Sequence, residues 1–168
     1  MSLEGGKGLR RKDREVTEFS ELLSIIKKCD ACTIALNNDE YPYLIPLNFG
    51  VEAKDGRITL YFHSAQEGTK LELIKKNPHA SFSMHCEHLL EYFPEQGYCT
   101  MSYESVIGKG TIVFVEKEEE KLHGLRLIMN QFHPEDAYFH PAAIPRTTVY
   151  KLVVESMSGK RKTPKKNT

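Results

Sequence analysis

Residues 31–63 read ACTIALNNDEYPYLIPLNFGVEAKDGRITLYFH, and this stretch decides the fold. Three parts of it have the β-branched and aromatic composition of strands, namely residues 33–36, 41–49 and 58–63. The polar run Asn37-Asn38-Asp39-Glu40 separates the first two, and Lys54-Asp55-Gly56-Arg57 before the third is typical of a hairpin turn. The stretch therefore predicts consecutive strands joined by short turns.

The second of these strands contains Pro42 and Pro46. A proline has no N–H to donate to the ladder of a sheet, so it is confined to edge strands and bulges. We therefore predict that residues 41–49 lie at the edge of the sheet or contain a bulge.

The rest of the chain alternates a few helices with further strands. Phe19, Leu22, Leu23 and Ile26 have helical spacing, and Thr17 is the predicted N-cap of that helix. We also predict helices over 69–76 and 116–132, strands over 80–86, 99–115 and 148–154, and loops over 87–98 and 133–147. Six or so short strands with few helices predict a mainly β fold, an antiparallel barrel that is closed or partly closed.

The composition is that of a single globular domain. The 168 residues are 40% hydrophobic and 27% charged. No apolar run approaches the roughly 20 residues of a membrane span, and the N-terminus lacks the apolar region of a secretory signal. We therefore expect no membrane association and a cytoplasmic protein whose four cysteines are reduced.

The charge is balanced overall but unevenly distributed. Residues 1–16 have a net charge of +2, residues 17–157 of −7, and residues 158–168 of +5. The expected organisation is one domain over 17–157 between a flexible basic leader and a flexible basic tail. Basic ends on an acidic body could also contact nucleic acid. No zinc-finger or RNA-recognition pattern supports that alternative, so nucleic acid is an unlikely partner.

The segment YFHSAQEGTK, Tyr61–Lys70, has the composition of an anion site. A strand ends at Ser64, a glycine-containing loop follows, and a helix begins with Thr69 and Lys70. Helix N-termini present unpaired amides that favour phosphate, and the two hydroxyls and the ammonium group would add donors. The alternative is an ordinary strand–helix junction with a solvated lysine.

Two clusters invite a metal-site interpretation. Cys29 and Cys32 have C-x-x-C spacing, and His85-Cys86-Glu87-His88 offers three ligand types in four residues. Cysteine is also a common small core residue, and no second C-x-x-C pair is present. We therefore assign no metal to these residues, and a zinc-stabilised module remains an alternative.

Several of these strings together resemble the pyridoxamine 5'-phosphate oxidase-like family of FMN-binding split β-barrels, in its nitroimidazole-resistance, nitroreductase-like branch. The similarity extends over roughly residues 9–160. It is carried by Arg10–Glu15, Cys29–Leu36, Tyr41–Gly50 with Tyr61–Lys70, and Tyr103–Gly110. The resemblance implies a split-barrel homodimer with FMN in grooves at the subunit interface.

The resemblance also implies a set of cofactor-binding residues. In the family, the strand matching 41–50 passes beside the isoalloxazine, the segment after the next strand holds the phosphate, and the strand matching 103–110 closes the site. The corresponding residues are Pro46, Leu47, Asn48, Phe62, His63, Ser64, Thr69, Lys70, Ser105 and Val106. His63 is also the candidate catalytic residue. Related oxidases have an arginine where Thr69 stands, so this chain lacks one bidentate phosphate contact there.

The implied activity is that of an FMN-dependent oxidoreductase. NAD(P)H or another donor would reduce the flavin, and a small molecule such as a nitroaromatic, including 5-nitroimidazoles, would accept the electrons. A non-catalytic FMN-binding or electron-carrier protein of the same fold is the alternative. A zinc- or nucleic-acid-binding module is the alternative from another class.

Overall fold

The computed structural model of this chain describes residues 11–133 and 138–164. These ranges contain eight strands and three α-helices. The strands are β1 (Glu15–Val16), β2 (Cys32–Leu36), β3 (Tyr43–Leu47), β4 (Gly50–Lys54), β5 (Arg57–Ser64), β6 (His79–Phe93), β7 (Tyr98–Val115) and β8 (Thr148–Lys162). The helices are α1 (Phe19–Lys28), α2 (Thr69–Lys76) and α3 (Glu118–Phe132).

The strands form one antiparallel sheet in the order β3-β2-β6-β7-β8-β5-β4, and β1 adds to β8. Its two ends, β3 and β4, are consecutive in the chain and are joined by only Asn48 and Phe49. Two residues span at most about 7–10 Å, so the two ends of the sheet must lie next to each other. The sheet is therefore curled into a barrel that is split between β3 and β4, which confirms the predicted mainly β, antiparallel split barrel.

The edge strand and the hairpin turn predicted within residues 31–63 are confirmed, but β3 is shorter than the predicted strand over 41–49, and β4 was not predicted. The proline-containing strand β3 is an end strand, paired only with β2 among the described strands. Asp55 and Gly56 both have positive φ, +51° and +69°, which is the backbone of a tight two-residue hairpin turn. That turn joins β4 to β5 with Lys54 opposite Arg57.

The predicted loop over 87–98 is wrong, because β6 continues to Phe93 and β7 begins at Tyr98. The pairing register shifts between Cys86 and Leu89, and Glu87 takes a positive φ of +56° at this bulge. The bulge accommodates the polar residues, after which pairing resumes. Only the tip of the long hairpin is a turn, the 3₁₀ segment Pro94–Gln96.

The last strand is longer than predicted, and this moves a domain boundary. β8 runs to Lys162, five residues beyond the predicted boundary at 157, and its end pairs with both β7 and β1. Residues 158–162 therefore belong to the sheet and not to a flexible tail. Likewise, β1 lies inside the predicted leader. Residues 1–10 and 165–168, the outer parts of leader and tail, lie outside the described residues.

The helices follow their apolar patterns but not every predicted end. α1 begins at Phe19, Glu18 occupies its N-cap, and no side chain caps it, so the N-cap prediction for Thr17 is wrong. α2 covers the predicted residues 69–76, and α3 starts at Glu118, two residues later than predicted. The predicted loop over 133–147 contains a 3₁₀ helix, Pro141–Arg146, and residues 134–137 lie outside the described part.

The core fills the inside of the barrel. The largest fully buried side chains include Phe49, Phe62, Tyr150 and Met84, and Phe62 stacks on Tyr150 with ring centroids 5.6 Å apart. A second cluster lies where α3 covers the barrel wall, around Leu125 and Ile128. No helix within 11–133 or 138–164 is long and apolar enough to cross a membrane.

Candidate functional site

The junction between β5 and α2 holds four of the predicted site residues. β5 ends at Ser64, residues 65–68 form a loop, and α2 begins at Thr69. Gly68 precedes the helix with φ +139°, a value that side chains disfavour, and an added Cβ there would meet no atom within 4 Å. No side chain caps α2. The junction is therefore open to solvent at the positive end of a helix.

The side chains of this junction are a histidine, two hydroxyls and an ammonium group. His63 and Thr69 are exposed, and Ser64 and Lys70 are half-buried. The Ser64 hydroxyl donates its hydrogen to the Ala65 carbonyl oxygen at 2.8 Å, so it would have to rotate before it could donate to a phosphate. No ion pair among the described residues involves Lys70. This donor set fits a phosphate group.

The surroundings of His63 lower the pKa of its imidazole. Partial burial and, second, the positive charge of Lys70 lower the pKa of the His63 imidazole below its ordinary value of 6.5. The ring is therefore mostly neutral near pH 7, and it can accept a proton or donate its N–H. An anion bound beside Lys70 would offset the positive charge of Lys70 and would therefore raise the pKa of His63.

The segment Pro46–Asn48 lies at the split of the barrel. Pro46 is paired opposite Thr33 on β2 and is exposed, whereas Leu47 is half-buried. The Asn48 side-chain amide donates to the Asp30 carbonyl oxygen at 3.2 Å, which fixes the orientation of an otherwise exposed residue. The amide oxygen of Asn48 is left to accept from a ligand.

The register of β4 and β5 brings Asn48 toward His63. Gly50 lies opposite Tyr61 in an antiparallel pair. Asn48 lies two residues before Gly50, and His63 lies two residues after Tyr61. Asn48 and His63 therefore follow the same end of the β4–β5 pair.

Phe62 and Val106 have a different environment from the other predicted site residues. Both side chains are completely buried in the barrel core. A ligand on the barrel surface can reach these two residues only through their main chain. The core position follows from strand alternation, because the neighbours His63 and Ser105 face the other side.

Ser105 lies on β7, farther from the junction. Two strands, β6 and β2, separate β7 from β3. Along β8, Ser105 pairs opposite Lys160, whereas His63 pairs opposite Val149, eleven residues earlier in that strand. The cross-strand neighbours of Ser105 are His85 on β6 and Lys160 on β8.

A cavity lies on the outer face of the sheet, and none of the predicted site residues is among those that line it. Its volume is about 370 Å³, and its walls come from β2, β3, β6, β7 and β8. Leu44 and Ile107 line it, and each is two residues from a predicted site residue, Pro46 and Ser105. Residues two apart in a strand face the same side. The cavity is therefore flanked by predicted site residues and is mostly apolar, as a site for a planar ring would be.

Two glutamines that the sequence analysis did not single out hold this region together. The Gln66 side-chain amide donates to the Pro145 carbonyl oxygen at 2.7 Å, and the Gln131 amide donates to the Lys27 and Cys29 carbonyl oxygens at 3.0 and 2.8 Å. These partners are 79 to 104 residues away in the chain. No local pattern in the sequence could have indicated either contact.

The two clusters considered for metal do not assemble. In the part of the chain that the structure describes, no group of three or more histidine, cysteine, aspartate or glutamate side chains could hold a metal ion. Cys29 and Cys32 are buried in the barrel core, and their thiols are free. His85 and His88 contact each other through their rings.

Comparisons with known proteins agree with this fold. The structure of a candidate 5-nitroimidazole antibiotic resistance protein from Bacteroides thetaiotaomicron matches with a TM-score of 0.77 and 32% identity, over 87% of this chain and 85% of that one. A flavocytochrome from Azotobacter vinelandii matches with a TM-score of 0.76 and 16% identity, over 93% and 72%. An FAD- and haem-binding protein from Mycobacterium smegmatis matches with 0.76 and 18%, over 92% and 76%.

The first of these relatives is close enough in sequence to share a family, whereas the other two share the fold. No curated protein matches the chain. The family model described as pyridoxamine 5'-phosphate oxidase matches residues 18–161, which is most of the chain. The match begins just before α1 and ends one residue before the end of β8. The chain therefore belongs to the pyridoxamine 5'-phosphate oxidase family.

Proposed function

We propose that this protein is a flavoprotein that binds FMN. The observation that carries the proposal is the β5–α2 junction, where Ser64, Thr69 and Lys70 present two hydroxyls, a cation and the amides of a helix N-terminus without a side-chain cap. A phosphomonoester carries close to two negative charges and needs such donors. His63, whose pKa is lowered mainly by burial and secondly by the Lys70 charge, completes this group.

The flavin ring would lie between the phosphate and the outer cavity. Pro46, Leu47 and Asn48 would contact the ring from the split, and Ser105, two residues from Ile107 of the cavity wall, would contact it from β7. The Asn48 amide oxygen can accept from a ring N–H, because the amide nitrogen is already engaged by Asp30. Phe62 and Val106 would contribute only main-chain contacts, because their side chains fill the core.

The proposed activity is flavin-dependent reduction of small molecules. Bound FMN would supply hydride and one-electron chemistry, and the protein would orient it and admit the substrates. The proposed donor is NAD(P)H, and the proposed acceptors include nitroaromatics, which the likeness to the candidate nitroimidazole-resistance protein supports. His63 is the proposed catalytic residue, since its neutral imidazole can donate an N–H to the ring or to an acceptor beside it.

The proposed assembly is a homodimer with FMN at the interface. Leu44 and Ile107 are 63% and 51% exposed beside an apolar cavity, and a partner subunit would cover them. The proposed location is the cytoplasm, which the four unpaired cysteines support.

Titration with FMN, FAD and riboflavin tests the cofactor assignment, and anaerobic reduction tests the activity. We expect FMN to bind most tightly, because the junction presents donors for one phosphate group. NADPH should then bleach the bound flavin, and a nitroimidazole should restore its colour. Tight FMN binding with no turnover over a panel of nitro compounds would favour the electron-carrier alternative. Tighter binding of FAD would replace the FMN assignment.

A further inference from the structure

A hydrogen bond joins the proposed phosphate loop to a segment 79 residues away. Gln66 lies in the loop between β5 and α2, and its side-chain amide donates to the Pro145 carbonyl oxygen at 2.7 Å. Pro145 belongs to the 3₁₀ helix Pro141–Arg146. A second restraint comes from the sheet, where Ser64 is paired opposite Thr148. The chain from Pro145 to Thr148 therefore runs alongside the loop.

The 3₁₀ helix is fixed at both ends by its own side chains. The His140 Nδ1 accepts a hydrogen bond from the Ala142 amide at 3.2 Å. The Thr147 hydroxyl donates to the Ala143 carbonyl oxygen at 2.9 Å. Ile144 is buried within the segment, and the segment packs against α3. This segment is therefore a built feature of the fold, with a defined position beside the loop.

Arg146 follows directly after the carbonyl that Gln66 holds. The Cα of Arg146 is about 3.8 Å from that of Pro145, so the side chain of Arg146 branches from the backbone next to the residue that Gln66 contacts. Arg146 is exposed, and none of the ion pairs or side-chain hydrogen bonds given for the described residues involves it. A cation without a carboxylate partner is thus placed at the edge of the junction.

The proposed ligand requires such a cation. A phosphomonoester carries about −1.5 to −2 at pH 7, whereas Lys70 supplies one positive charge. The loop itself adds the carboxylate of Glu67, and residues 17–157 have a net charge of −7. An arginine can bind phosphate oxygens with two parallel N–H donors, which adds orientation to charge.

We propose that Arg146 is the second cation of the phosphate site, and that Gln66 is a positioning residue that holds Arg146 beside the loop. This inference rests on the proposed flavin-binding function and adds a binding residue to it. The 3₁₀ helix then forms one wall of the site, opposite the N-terminus of α2. The group recognised is the terminal phosphate of FMN and not the flavin ring.

The test compares FMN with riboflavin, which has the same ring and no phosphate. Arg146→Ala should weaken FMN binding at least tenfold and leave riboflavin binding unchanged, and Arg146→Lys should recover part of the loss. Gln66→Ala should weaken FMN binding by a smaller factor. The matched control is Arg126→Ala, which removes an exposed arginine from α3. Equal FMN dissociation constants for Arg146→Ala and Arg126→Ala would overturn the proposal, provided that both variants melt like the wild type.

Inorganic phosphate separates this inference from the proposed function. If the wild type binds neither flavin, yet phosphate raises its melting temperature and fails to raise that of Arg146→Ala, the anion site stands and the flavin assignment falls. If phosphate stabilises both proteins equally, Arg146 is not a phosphate ligand, whatever the flavin results are.

Discussion

Lys70 is the residue on which the proposed affinity for phosphate depends most. It is half-buried at the first turn of α2, and its charge already acts on His63. Lys70→Ala should weaken FMN binding by about 1.5–3 kcal/mol, the range for a hydrogen bond to a charged group. Isothermal titration of FMN measures this loss. Lys75→Ala, in the last turn of the same helix, is the control and should leave the affinity unchanged.

An FMN affinity that Lys70→Ala does not alter would show that another group holds the phosphate. A parallel loss of riboflavin affinity would show instead that the substitution disturbs the ring site. Only a loss confined to FMN assigns Lys70 to the phosphate.

The cysteines differ in exposure, and this predicts their chemistry. Cys32 is completely buried, and burial raises the pKa of its thiol to about 12 from 9.0. Because the folded protein keeps this thiol neutral, the free energy of unfolding should fall as the pH rises from about 9 toward 12.

Cys99 is exposed and should be alkylated first. Mass spectrometry after brief alkylation checks the order, and early labelling of Cys32 in the folded protein would contradict it.

At the scale of the elements, one carboxylate joins α1, β7 and β8. Glu104 on β7 is 8% exposed and accepts from Lys28 of α1 at 2.7 Å and from Arg161 of β8 at 2.5 Å. Burial acts to raise the pKa of Glu104, but the two hydrogen bonds outweigh it and the pKa is lowered. The paired carboxylate thus stabilises the fold above its unfolded-state pKa, and this contribution is lost as the pH falls through the folded-state pKa.

Glu104→Gln should lower the free energy of unfolding at neutral pH by about 2 kcal/mol, between the values for exposed and buried pairs. The difference from wild type should shrink in acid, where the wild-type carboxyl is protonated. Urea denaturation at several pH values measures both effects. Glu119→Gln, an exposed change in the first turn of α3, is the control. A deficit that is constant with pH would contradict the charge-based account.

The sequence predicts the ends of an element well when neighbouring residues determine them, and poorly when pairing with another strand determines them. The ends of α2 are local, since Gly68 precedes it and Asn77-Pro78 follows it. The ends of β6 and β8 depend on pairing with another strand. β6 continues past its bulge, and β8 continues past residue 157, because β7 pairs with each of them there. The basic residues 158–162 looked like a tail, yet pairing with β7 keeps them in the sheet.

The same distinction applies to the candidate site. The donors between Ser64 and Lys70 are contiguous in sequence, so their pattern indicated an anion site directly. The link from Gln66 to Pro145 spans 79 residues and became visible only in the fold. The core positions of Phe62 and Val106 likewise depend on which face of each strand points into the barrel.

At the scale of the whole molecule, the exposed apolar face of the sheet predicts self-association. Sedimentation velocity should give about twice the chain mass of 19.2 kDa. Ile107→Glu would place a charge in the apolar cavity and should shift the protein toward the monomer. Tyr41→Glu, at an exposed turn residue, should not. A wild-type monomer at micromolar concentration would contradict the proposed dimer.

The uneven distribution of charge along the chain affects how an anionic cofactor could bind. Residues 17–162, which end with β8, have a net charge of −4 because Lys160, Arg161 and Lys162 offset part of the −7 of residues 17–157, and this charge still disfavours an anionic cofactor at long range. In the proposed function, the local donors at the β5–α2 junction would hold FMN, so its affinity should depend on these few groups far more than on net charge.

The absorption spectrum of the purified protein tests the central claim most directly. We expect the visible and near-ultraviolet bands of an oxidised flavin, either as isolated or after FMN is added and the excess removed. A protein that stays colourless after this treatment, and that leaves the fluorescence of added FMN unquenched, would contradict the claim that this barrel binds FMN.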